Sequence, residues 1–454
     1  MAKVFPKKQV ALLVGDIILI VASLYLAPVI RFVIVLDPAH VFEPVDVVAV
    51  LIYLLSFYVF DFYNLEELRS SRYILRFFLA TTVASVFISA IYYIFHVRPG
   101  SLILFISSIL ICLFLLGWRY FFDVFFKYSE KPHRLLIIGA GKTGSNLYAM
   151  LKANKDYEVV GFLDDDEKKW GMSFGNASVI GGTGILSTVV KELRIDNVII
   201  AITRVIRPEV YKKLVEAKFN GTAVYEMPSF YEKVAGRIPV LHTNEMWLGY
   251  ADIYGVKSNL YNAKVKKIID KAFAIIVLLF AVPIMCIVAL MVKMDTRGPV
   301  IYRQKRVGFT GVNFDLIKFR SMKIDAEING AVWAQQNDSR ITRVGRIIRF
   351  LRIDELPQLW NVLKGELSLV GPRPERPEFV ENLTLEIPYY SLRHSVKPGI
   401  TGWAQVNYPY GASKEDALEK LQFDLYYIKN VTFLLDLYII LRTIRTVLFG
   451  KGAR

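Results

Sequence analysis

Two adjacent carboxylates, Asp354 and Glu355, are the residues from which a reaction could most directly be built. They follow a run of arginines and precede Pro357, which a first helical turn tolerates because its missing N–H has no partner to lose there. Apolar residues then recur at helical spacing up to Gly365, a typical helix stop. We therefore expect the pair at or near a helix N-terminus, where an ionised carboxylate or a bound anion is favoured. On the residues alone, a helix cap and a reactive carboxylate are equally good interpretations.

Cations surround this pair in the sequence. Residues 297–352 contain twelve Lys or Arg against four Asp or Glu, scattered among glycine and aromatic residues. This pattern suits multidentate phosphate binding, and residues 302–308 and 316–322 are predicted to be two strands that carry some of the cations. The alternative is a solvated basic face that lies on anionic lipid, and the two interpretations do not exclude each other.

The overall composition indicates a membrane protein. Hydrophobic residues make up 54% of the 454 residues, mean hydropathy is +0.38, and the formal net charge is +15. The basic residues call for anionic lipid headgroups or phosphorylated substrates as partners. A nucleic-acid partner is not expected, because the basic residues lie beside apolar helices. Cys112 and Cys286 both lie in apolar runs, so no disulfide framework is expected.

Four apolar runs fill the first part of the chain, at residues 10–36, 45–62, 74–95 and 102–122. Each is near the length needed to cross a bilayer. Basic residues concentrate before the first run, between the second and third, and after the fourth, which predicts that both ends of the bundle are cytoplasmic. Asp16 lies within the first run, where packing against a partner helix is the favoured interpretation over a functional charge.

A glycine-rich turn follows the apolar runs. Residues 134–139 form a predicted buried strand, and Gly139, Gly141 and Gly144 then make a GxGxxG pattern with a helix behind it. Asp164 ends the next predicted strand, about where a ribose-binding acid would stand. The setting predicts a Rossmann-like α/β domain. The ligand is open: the glycines and Asp164 could bind a nucleotide, or the turn could serve close packing of helix on strand.

A second hydrophobic element covers residues 272–292, with Pro283 in its middle. Proline inside a helix removes a hydrogen bond and kinks the helix. Basic residues flank both ends, which predicts that both ends stay cytoplasmic. We therefore favour a re-entrant helix that breaks at Pro283 over a fifth full span, which would put the arginine-rich remainder outside the cell.

Four motifs then occur in order. They are Lys318-Phe-Arg320-Ser-Met322, Asp354-Glu355-Leu-Pro-Gln358-Leu-Trp-Asn361-Val-Leu, Leu369-Val-Gly371-Pro-Arg373-Pro374 and Gly399-Ile-Thr-Gly402-Trp-Ala-Gln405. From residue 264 to the C-terminus the chain resembles the bacterial sugar transferases, the polyprenyl-phosphate hexose-1-phosphate transferases also called large monotopic phosphoglycosyl transferases. The upstream apolar runs and α/β domain resemble the long members, which start exopolysaccharide or O-antigen repeat units.

The resemblance implies a reaction. A UDP-sugar, with UDP-glucose and UDP-galactose the favourites, gives its sugar-1-phosphate to undecaprenyl phosphate and UMP is released. By the same resemblance Asp354 attacks the β-phosphate and forms a covalent intermediate, so the kinetics are ping-pong. Glu355 is assigned to metal binding or positioning, Arg349 and Arg373 to phosphate, and Lys318 and Arg320 more weakly to phosphate or to positioning of the strand. Arg352, where many members have a small hydroxyl residue nearby, is expected to contact phosphate or pair with Glu355.

The implied cofactor is Mg²⁺, held by Asp354 and Glu355. The expected fold is mixed: residues 1–128 form a four-span bundle, 129–260 a Rossmann-like domain, and 261–454 a monotopic α/β transferase domain with a re-entrant helix at 267–294 and interfacial helices. The expected location is the cytoplasmic face of the bacterial inner membrane, with its lipids as partners. The oligomeric state is open, with a homodimer among the alternatives.

Two other functions compete. A membrane-anchored oxidoreductase or epimerase would need an acid–base set in residues 133–260, and Tyr148 and Lys152 have the Tyr-x-x-x-Lys spacing. We discount the match because Tyr148 lies on the helix beside the glycine turn rather than on the substrate side. A non-catalytic scaffold that senses nucleotide at the glycine turn would leave Asp354 as a helix cap.

Overall fold

The computed structural model describes residues 7–35, 44–63, 73–94, 101–127, 132–202, 207–243, 261–324, 338, 340–409, 411 and 413–448. The chain divides into two compact units. One comprises residues 5–131, and the main body of the other is residues 132–454.

The first unit contains four apolar helices, α1 (Lys7–Val35), α2 (Pro44–Val59), α3 (Tyr73–Ile94) and α4 (Ser101–Lys127). Helices α1, α3 and α4 are long and apolar enough to cross a membrane. Helix α2 has 16 residues and is shorter than the predicted run. Its length is about 24 Å, because each residue of an α-helix rises about 1.5 Å. A turn in which the N–H of Phe62 donates to the carbonyl oxygen of Phe57 ends it.

Polar side chains hold these helices together at depth. Asp16 of α1 forms a fully buried ion pair with Arg119 of α4, and Arg119 Nη1 also donates to the carbonyl oxygen of Phe62 at 2.7 Å. The expectation that Asp16 packs against a partner helix is confirmed. The hydroxyl of Ser85 on α3 lies 3.0 Å from both Tyr53 Oη and Ser108 Oγ. Such contacts between helices stabilise a bundle where apolar burial alone cannot discriminate one helix from another.

The second unit begins with a six-stranded sheet in the order β3-β4-β2-β1-β5-β6. All neighbouring strands are parallel except β3 and β4. The strands are β1 (His133–Ile138), β2 (Tyr157–Leu163), β3 (Ser173–Phe174), β4 (Ala177–Gly181), β5 (Asn197–Ile200) and β6 (Ala223–Glu226), and the helices are α5 (Lys142–Leu151), α6 (Leu186–Glu192), α7 (Pro208–Phe219) and α8 (Met227–Ala235). Buried residues of β1 contribute to apolar clusters on both faces of the sheet.

The rest of the second unit surrounds the carboxylate pair. Its helices are α9 (Lys266–Asp295), α10 (Arg343–Phe350), α11 (Gln358–Lys364), α12 (Pro377–Glu386), α13 (Trp403–Asn407), α14 (Lys414–Lys429) and α15 (Phe433–Leu448). Strands β7 (Ile301–Val307) and β8 (Asn313–Phe319) form an antiparallel pair, and β9 (Ser368–Val370) and β10 (Gly399–Thr401) a parallel one. The predicted cation-bearing strands correspond to β7 and β8.

The sheet region and this region share a core. Ile238 and Val240, which follow α8, are buried in the same cluster as Leu421 and Leu425 of α14. The N–H of Ile238 donates to the carbonyl oxygen of Gln422 at 3.0 Å. Arg237 forms an ion pair with Glu419 of α14. The segment after α8 therefore attaches the sheet region to α14.

Helix α9 is apolar and runs without interruption through Pro283, so the predicted break of the helix at this residue is not found. Its buried residues form one stripe at helical spacing, Asp270, Ala274, Ala281, Val288 and Val292, while the large side chains on its other faces are exposed. Its first turns are held by Lys266 Nζ, 2.5 Å from Asp436 Oδ2 of α15, and by Ser368 Oγ, 2.7 Å from Asp270 Oδ2. At its C-terminal end the N–H of Val344 donates to Asp295 Oδ2 at 3.1 Å. Both ends of α9 are thus attached to the second unit.

Candidate active site

A tight turn between α10 and α11 positions the carboxylate pair. Thr342 caps α10, its hydroxyl oxygen accepting from the N–H of Gly345 at 2.9 Å. Arg352 has a φ of 58°, in the left-handed region, and so turns the chain away from α10. Residues Ile353–Glu355 form a 3₁₀ turn that leads into α11, and Gly365, with a φ of 85°, ends α11. The expected placement of the pair near a helix N-terminus is confirmed, with a 3₁₀ turn in place of the first α-helical turn.

Asp354 is buried without satisfying its hydrogen-bonding capacity. Only 8% of the residue is exposed, and Oδ1 has no hydrogen-bond partner among the described residues. Burial, and then the neighbouring charge of Glu355, raise the pKa of Asp354 to about 6, although Lys318 and Arg349 oppose the rise. An ionised oxygen that is shielded from water and not hydrogen-bonded is a stronger nucleophile than a solvated one, because no donor stabilises its charge.

Glu355 differs from its neighbour because two cations contact it. Arg373 Nη2 donates to Glu355 Oε1 at 2.8 Å, and Lys318 Nζ lies 3.5 Å from the same oxygen. Burial alone would raise the pKa of Glu355, but Arg373 and Lys318 together hold it well below its usual range. Burial in turn lowers the pKa of Lys318 to about 8, with Glu355 opposing. The structure thus joins a basic strand, the carboxylate turn and the Pro-Arg-Pro loop in one site.

Of the other residues predicted to bind phosphate, Arg349 lies near Asp354 and Arg320 does not. Arg349 lies close enough to Asp354 to lower its pKa, as does Arg352. Arg320 is not part of this cluster: its Nη2 donates to the carbonyl oxygen of Thr296 at 2.7 Å and its Nη1 to that of Arg297 at 3.1 Å. Arg320 therefore caps the C-terminal end of α9, because the carbonyl groups there lack helical partners.

The backbone of the Pro-Arg-Pro loop, Pro372–Pro374, packs directly against the backbone of the Gly399–Gln405 motif. The N–H of Gly371 donates to the carbonyl oxygen of Thr401, and the N–H of Gly399 to that of Pro372, both at 2.9 Å. A Cβ on Gly399 would lie 2.1 Å from the nitrogen of Gly371. Glycine is therefore required here, and the two motifs, distant in sequence, form one structural unit that presents Arg373.

Three residues that support this loop were not predicted from the sequence. Arg306 Nη1 donates to the carbonyl oxygen of Pro374 at 3.0 Å, and Arg393 Nη2 donates to that of Arg373 at 3.0 Å. Arg393 is paired with Asp424 of α14. Arg306 lay within the cation-rich stretch, but the sequence carries no signal that would have linked Arg393 or Asp424 to the site.

The carboxylate pair offers few ligands to a Mg²⁺ ion. Among the residues that the structure describes, no group of three or more His, Cys, Asp or Glu side chains could hold a metal ion by itself. Mg²⁺ is commonly held by one or two carboxylates together with substrate phosphates and water. Asp354 Oδ1, which has no hydrogen-bond partner among the described residues, and the adjacent carboxylate of Glu355 fit such a shared site.

The glycine turn after β1 has a clear packing role. Gly139 has a φ of 109°, and a Cβ on Gly144 would lie 2.0 Å from the carbonyl oxygen of Gly139. A Cβ on Gly141 would meet nothing within 4 Å. Asp164 is already engaged: its Oδ2 accepts from the N–H of Ala140 at 2.8 Å and from Lys169 Nζ at 2.9 Å. Asp164 thus stabilises the turn from within the protein.

Tyr148 likewise has structural contacts. Its hydroxyl oxygen accepts from the N–H of Asn176 at 2.9 Å, and its ring lies 6.0 Å from that of Phe162. These contacts place it against β2 and the turn before β4.

Comparison with known proteins identifies the region that holds the site. The model for "Bacterial sugar transferase" matches residues 261–450, and that for "CoA-binding domain" matches residues 58–212. A putative undecaprenyl-phosphate N-acetylgalactosaminyl 1-phosphate transferase of Bacillus subtilis (strain 168) is 54% identical over 129 residues, which are 28% of this chain and 72% of the relative. The chain belongs to the bacterial sugar transferase family.

Two longer relatives match about half of this chain. A UDP-N-acetylgalactosamine-undecaprenyl-phosphate N-acetylgalactosaminephosphotransferase of Aeromonas hydrophila is 46% identical, over 51% of this chain and 53% of the relative. A UDP-glucose:undecaprenyl-phosphate glucose-1-phosphate transferase of Escherichia coli (strain K12) is 41% identical, over 44% of each chain. The chain thus spans about half the length of these two relatives.

Proposed function

We propose that this protein transfers a sugar-1-phosphate from a UDP-sugar to undecaprenyl phosphate, releasing UMP, as the first membrane step in the assembly of a surface polysaccharide. The relatives' names include both substrates, the lipid phosphate and a UDP-sugar. The observation that carries the proposal is Asp354 Oδ1, a buried carboxylate oxygen without a hydrogen-bond partner beside several cations.

The reaction proceeds in two displacements. In the first, an Asp354 oxygen attacks the β-phosphorus of the UDP-sugar, and the bond from that phosphorus to the oxygen of UMP breaks. In the second, an oxygen of undecaprenyl phosphate attacks the same phosphorus and Asp354 leaves as a carboxylate. Two polyanions thereby use one site in turn, which avoids holding both at once.

The cations have separate roles. Arg373 contacts Glu355 and, from the same position, meets the diphosphate of the donor, for which its planar fork of donors is suited. Arg349 acts on phosphate from the side of α10. Lys318 holds Glu355 in its ionised state, so that Glu355 orients the cations while Asp354 reacts. Mg²⁺, when held by Asp354 and Glu355 together with donor phosphate oxygens, would supply neutralisation of the diphosphate charge.

The site belongs at the cytoplasmic membrane surface, and we assign α9 to a re-entrant helix. Both of its ends attach to the unit that holds Asp354, through Lys266 and Asp270 at one end and Asp295 at the other. A straight crossing would carry the two ends about 45 Å apart, on opposite sides of a bilayer core of about 30 Å. Pro283 is the residue at which the helix would bend, since its ring removes one helical hydrogen bond.

The proposal is tested on the full chain in detergent with Mg²⁺. Wild-type protein mixed with a radiolabelled UDP-sugar, and no lipid acceptor, should release a single-turnover burst of UMP and retain sugar label on the protein. Addition of undecaprenyl phosphate should discharge the label into lipid. Asp354→Asn should lose both burst and label while keeping the wild-type thermal unfolding profile or a more stable one.

The donor is identified in the same assay. A panel of UDP-glucose, UDP-galactose and UDP-N-acetylgalactosamine covers the sugars that the family resemblance favours and those that the relatives' names contain. A burst of UMP that persists in Asp354→Asn would rule out Asp354 as the nucleophile. Absence of UMP release with every donor would rule out the transferase proposal.

A further inference from the structure

A buried ion pair lies behind the loop that carries Arg373. Arg393 Nη2 donates to Asp424 Oδ2 at 2.9 Å, and the two side chains are 5% and 2% exposed. Arg393 Nη1 also donates to the hydroxyl of Tyr390 at 2.6 Å. Charged side chains this buried occur in proteins when they are paired and hydrogen-bonded, so the orientation of the Arg393 guanidinium is strongly determined.

The same guanidinium reaches the active-site loop. Arg393 Nη2 donates to the backbone carbonyl oxygen of Arg373 at 3.0 Å, while Arg306 Nη1 holds the next carbonyl, that of Pro374, at 3.0 Å. The Arg373 side chain points the other way and donates to Glu355. Because a guanidinium stands at the end of a long side chain, a small shift of this carbonyl displaces the guanidinium from Glu355 and from a bound diphosphate.

We propose that the Arg393–Asp424 pair is a positioning device for the transfer reaction: it holds the carbonyl of Arg373 and thereby aims the Arg373 guanidinium at Glu355 and the donor diphosphate. This inference rests on the proposed function. Arg393 and Asp424 act through Arg373. The competing role is purely structural, in which the pair only attaches the segment Tyr390–Ser395 to α14.

A double-mutant cycle on the full chain separates these roles. Arg393→Lys keeps the charge beside Asp424 but lacks the fork that reaches three acceptors. In the presence of Arg373 it should lower kcat/KM for the UDP-sugar by about 10- to 100-fold, the scale expected for a group displaced by about 1 Å. In an Arg373→Ala background the same change should lower the remaining kcat/KM by less than about twofold, because contacting residues that act as a unit are not additive.

Arg237→Lys is the matched control. Arg237 also forms an ion pair with α14, at Glu419, but its partner is five positions before Asp424 and the pair attaches the sheet region rather than the loop. This variant should lower the thermal unfolding temperature without changing kcat/KM. Asp424→Asn, which keeps an acceptor for Arg393, should retain most of the activity that Asp424→Ala loses, and it serves as the second test if Arg393→Lys does not fold.

Each outcome decides between the roles. Equal losses from Arg393→Lys with and without Arg373 would overturn the positioning role while leaving the transferase function intact. Loss of kcat/KM in Arg237→Lys equal to that in Arg393→Lys would do the same. A wild-type chain without UMP release from any UDP-sugar would overturn the proposed function and the positioning role together.

Discussion

Two pairs of adjacent carboxylates differ in their surroundings: Asp164 and Asp165, which directly follow β2, and Asp354 and Glu355, which come after α10. In the first pair, Asp164 accepts from Ala140, Asp166 and Lys169, and Asp165 accepts from Thr183 and Arg207. Although burial opposes it, these hydrogen bonds lower the pKa of both carboxyls. All four oxygens of this pair are therefore engaged.

The second pair is only partly engaged. Glu355 is held by Arg373 and Lys318, whereas Asp354 Oδ1 has no hydrogen-bond partner among the described residues and the pKa of Asp354 is raised to about 6. Adjacent acids are therefore not by themselves a sign of chemistry. Neighbouring donors that hydrogen-bond to a carboxylate stabilise its charge and favour a structural role. A buried carboxylate oxygen without such donors favours reaction with an electrophile.

The largest expected difference between the two pairs is in catalysis. Asp354→Asn should lower steady-state UMP release by at least about 1000-fold, on the scale of removing a nucleophile. Asp164→Asn is the same change in the pair whose oxygens are all hydrogen-bonded. Its rate of UMP release should stay within about twofold of wild type, since conservative changes away from the reacting atoms leave the transition state unaltered. UMP release from both purified variants checks this, and similar losses in the two would contradict the distinction.

The second difference is in stability against pH. The pKa of Asp354 is raised from 3.8 to about 6, so the stabilisation from its folded-state protonation is complete below pH 3.8 and lost as pH rises through about 6. Asp354→Asn has no such loss and should be more stable than wild type at pH 7.5, by up to about 3 kcal/mol, with about half of that advantage at pH 5. Thermal unfolding at both pH values, with a chelator present, measures this difference.

Asp164→Asn supplies the control of opposite sign. Because the pKa of Asp164 is lowered, its stabilisation is present above its unfolded pKa and lost only as pH falls below it. The variant should be less stable than wild type at both pH 5 and pH 7.5. If Asp354→Asn were likewise less stable than wild type at both pH values, the conclusion that the Asp354 carboxylate lacks stabilising hydrogen bonds would be wrong.

The smallest expected difference lies within the glycine turn that Asp164 supports. Gly144→Ala places a Cβ 2.0 Å from the carbonyl oxygen of Gly139 and should destabilise the protein by about 1–3 kcal/mol. Gly141→Ala meets nothing within 4 Å and should change stability by less than about 0.5 kcal/mol. Thermal unfolding of the full chain compares the two. A nucleotide-induced thermal shift that Gly141→Ala abolishes would show that the turn also binds a ligand.

Several local features were predictable because they depend on neighbouring residues. Helical spacing and Gly365 predicted α11, and the alternation of a strand with a glycine turn predicted β1 and α5. Runs of apolar residues predicted α1 to α4, although α2 is shorter than its run because a turn that contacts Arg119 ends it. Apolar length alone could not locate that turn.

Other features depend on contacts between distant residues. Lys318 and Arg320 are two positions apart in one motif, at the end of β8, but Arg320 caps α9 whereas Lys318 contacts Glu355. Arg393 and Asp424 are 31 positions apart and meet in the core. Strand alternation would place side chains two positions apart on the same face, but β8 ends at Phe319 and Arg320 lies beyond it. The packing of α9 and of the carboxylate turn therefore decides which partner each cation meets.

The sequence by itself determined which residues could react and the local elements that carry them, because turn chemistry and hydrophobic periodicity act over a few residues. The residues alone left Asp354 undecided between a helix cap and a nucleophile, and the family resemblance favoured the nucleophile. The tertiary structure supplied the physical difference between the two carboxylates, by bringing Lys318 and Arg373 to Glu355 while burying an oxygen of Asp354 without a donor. The physical reason is that the state of a carboxylate depends on burial and on charges supplied by other elements, which packing alone brings together.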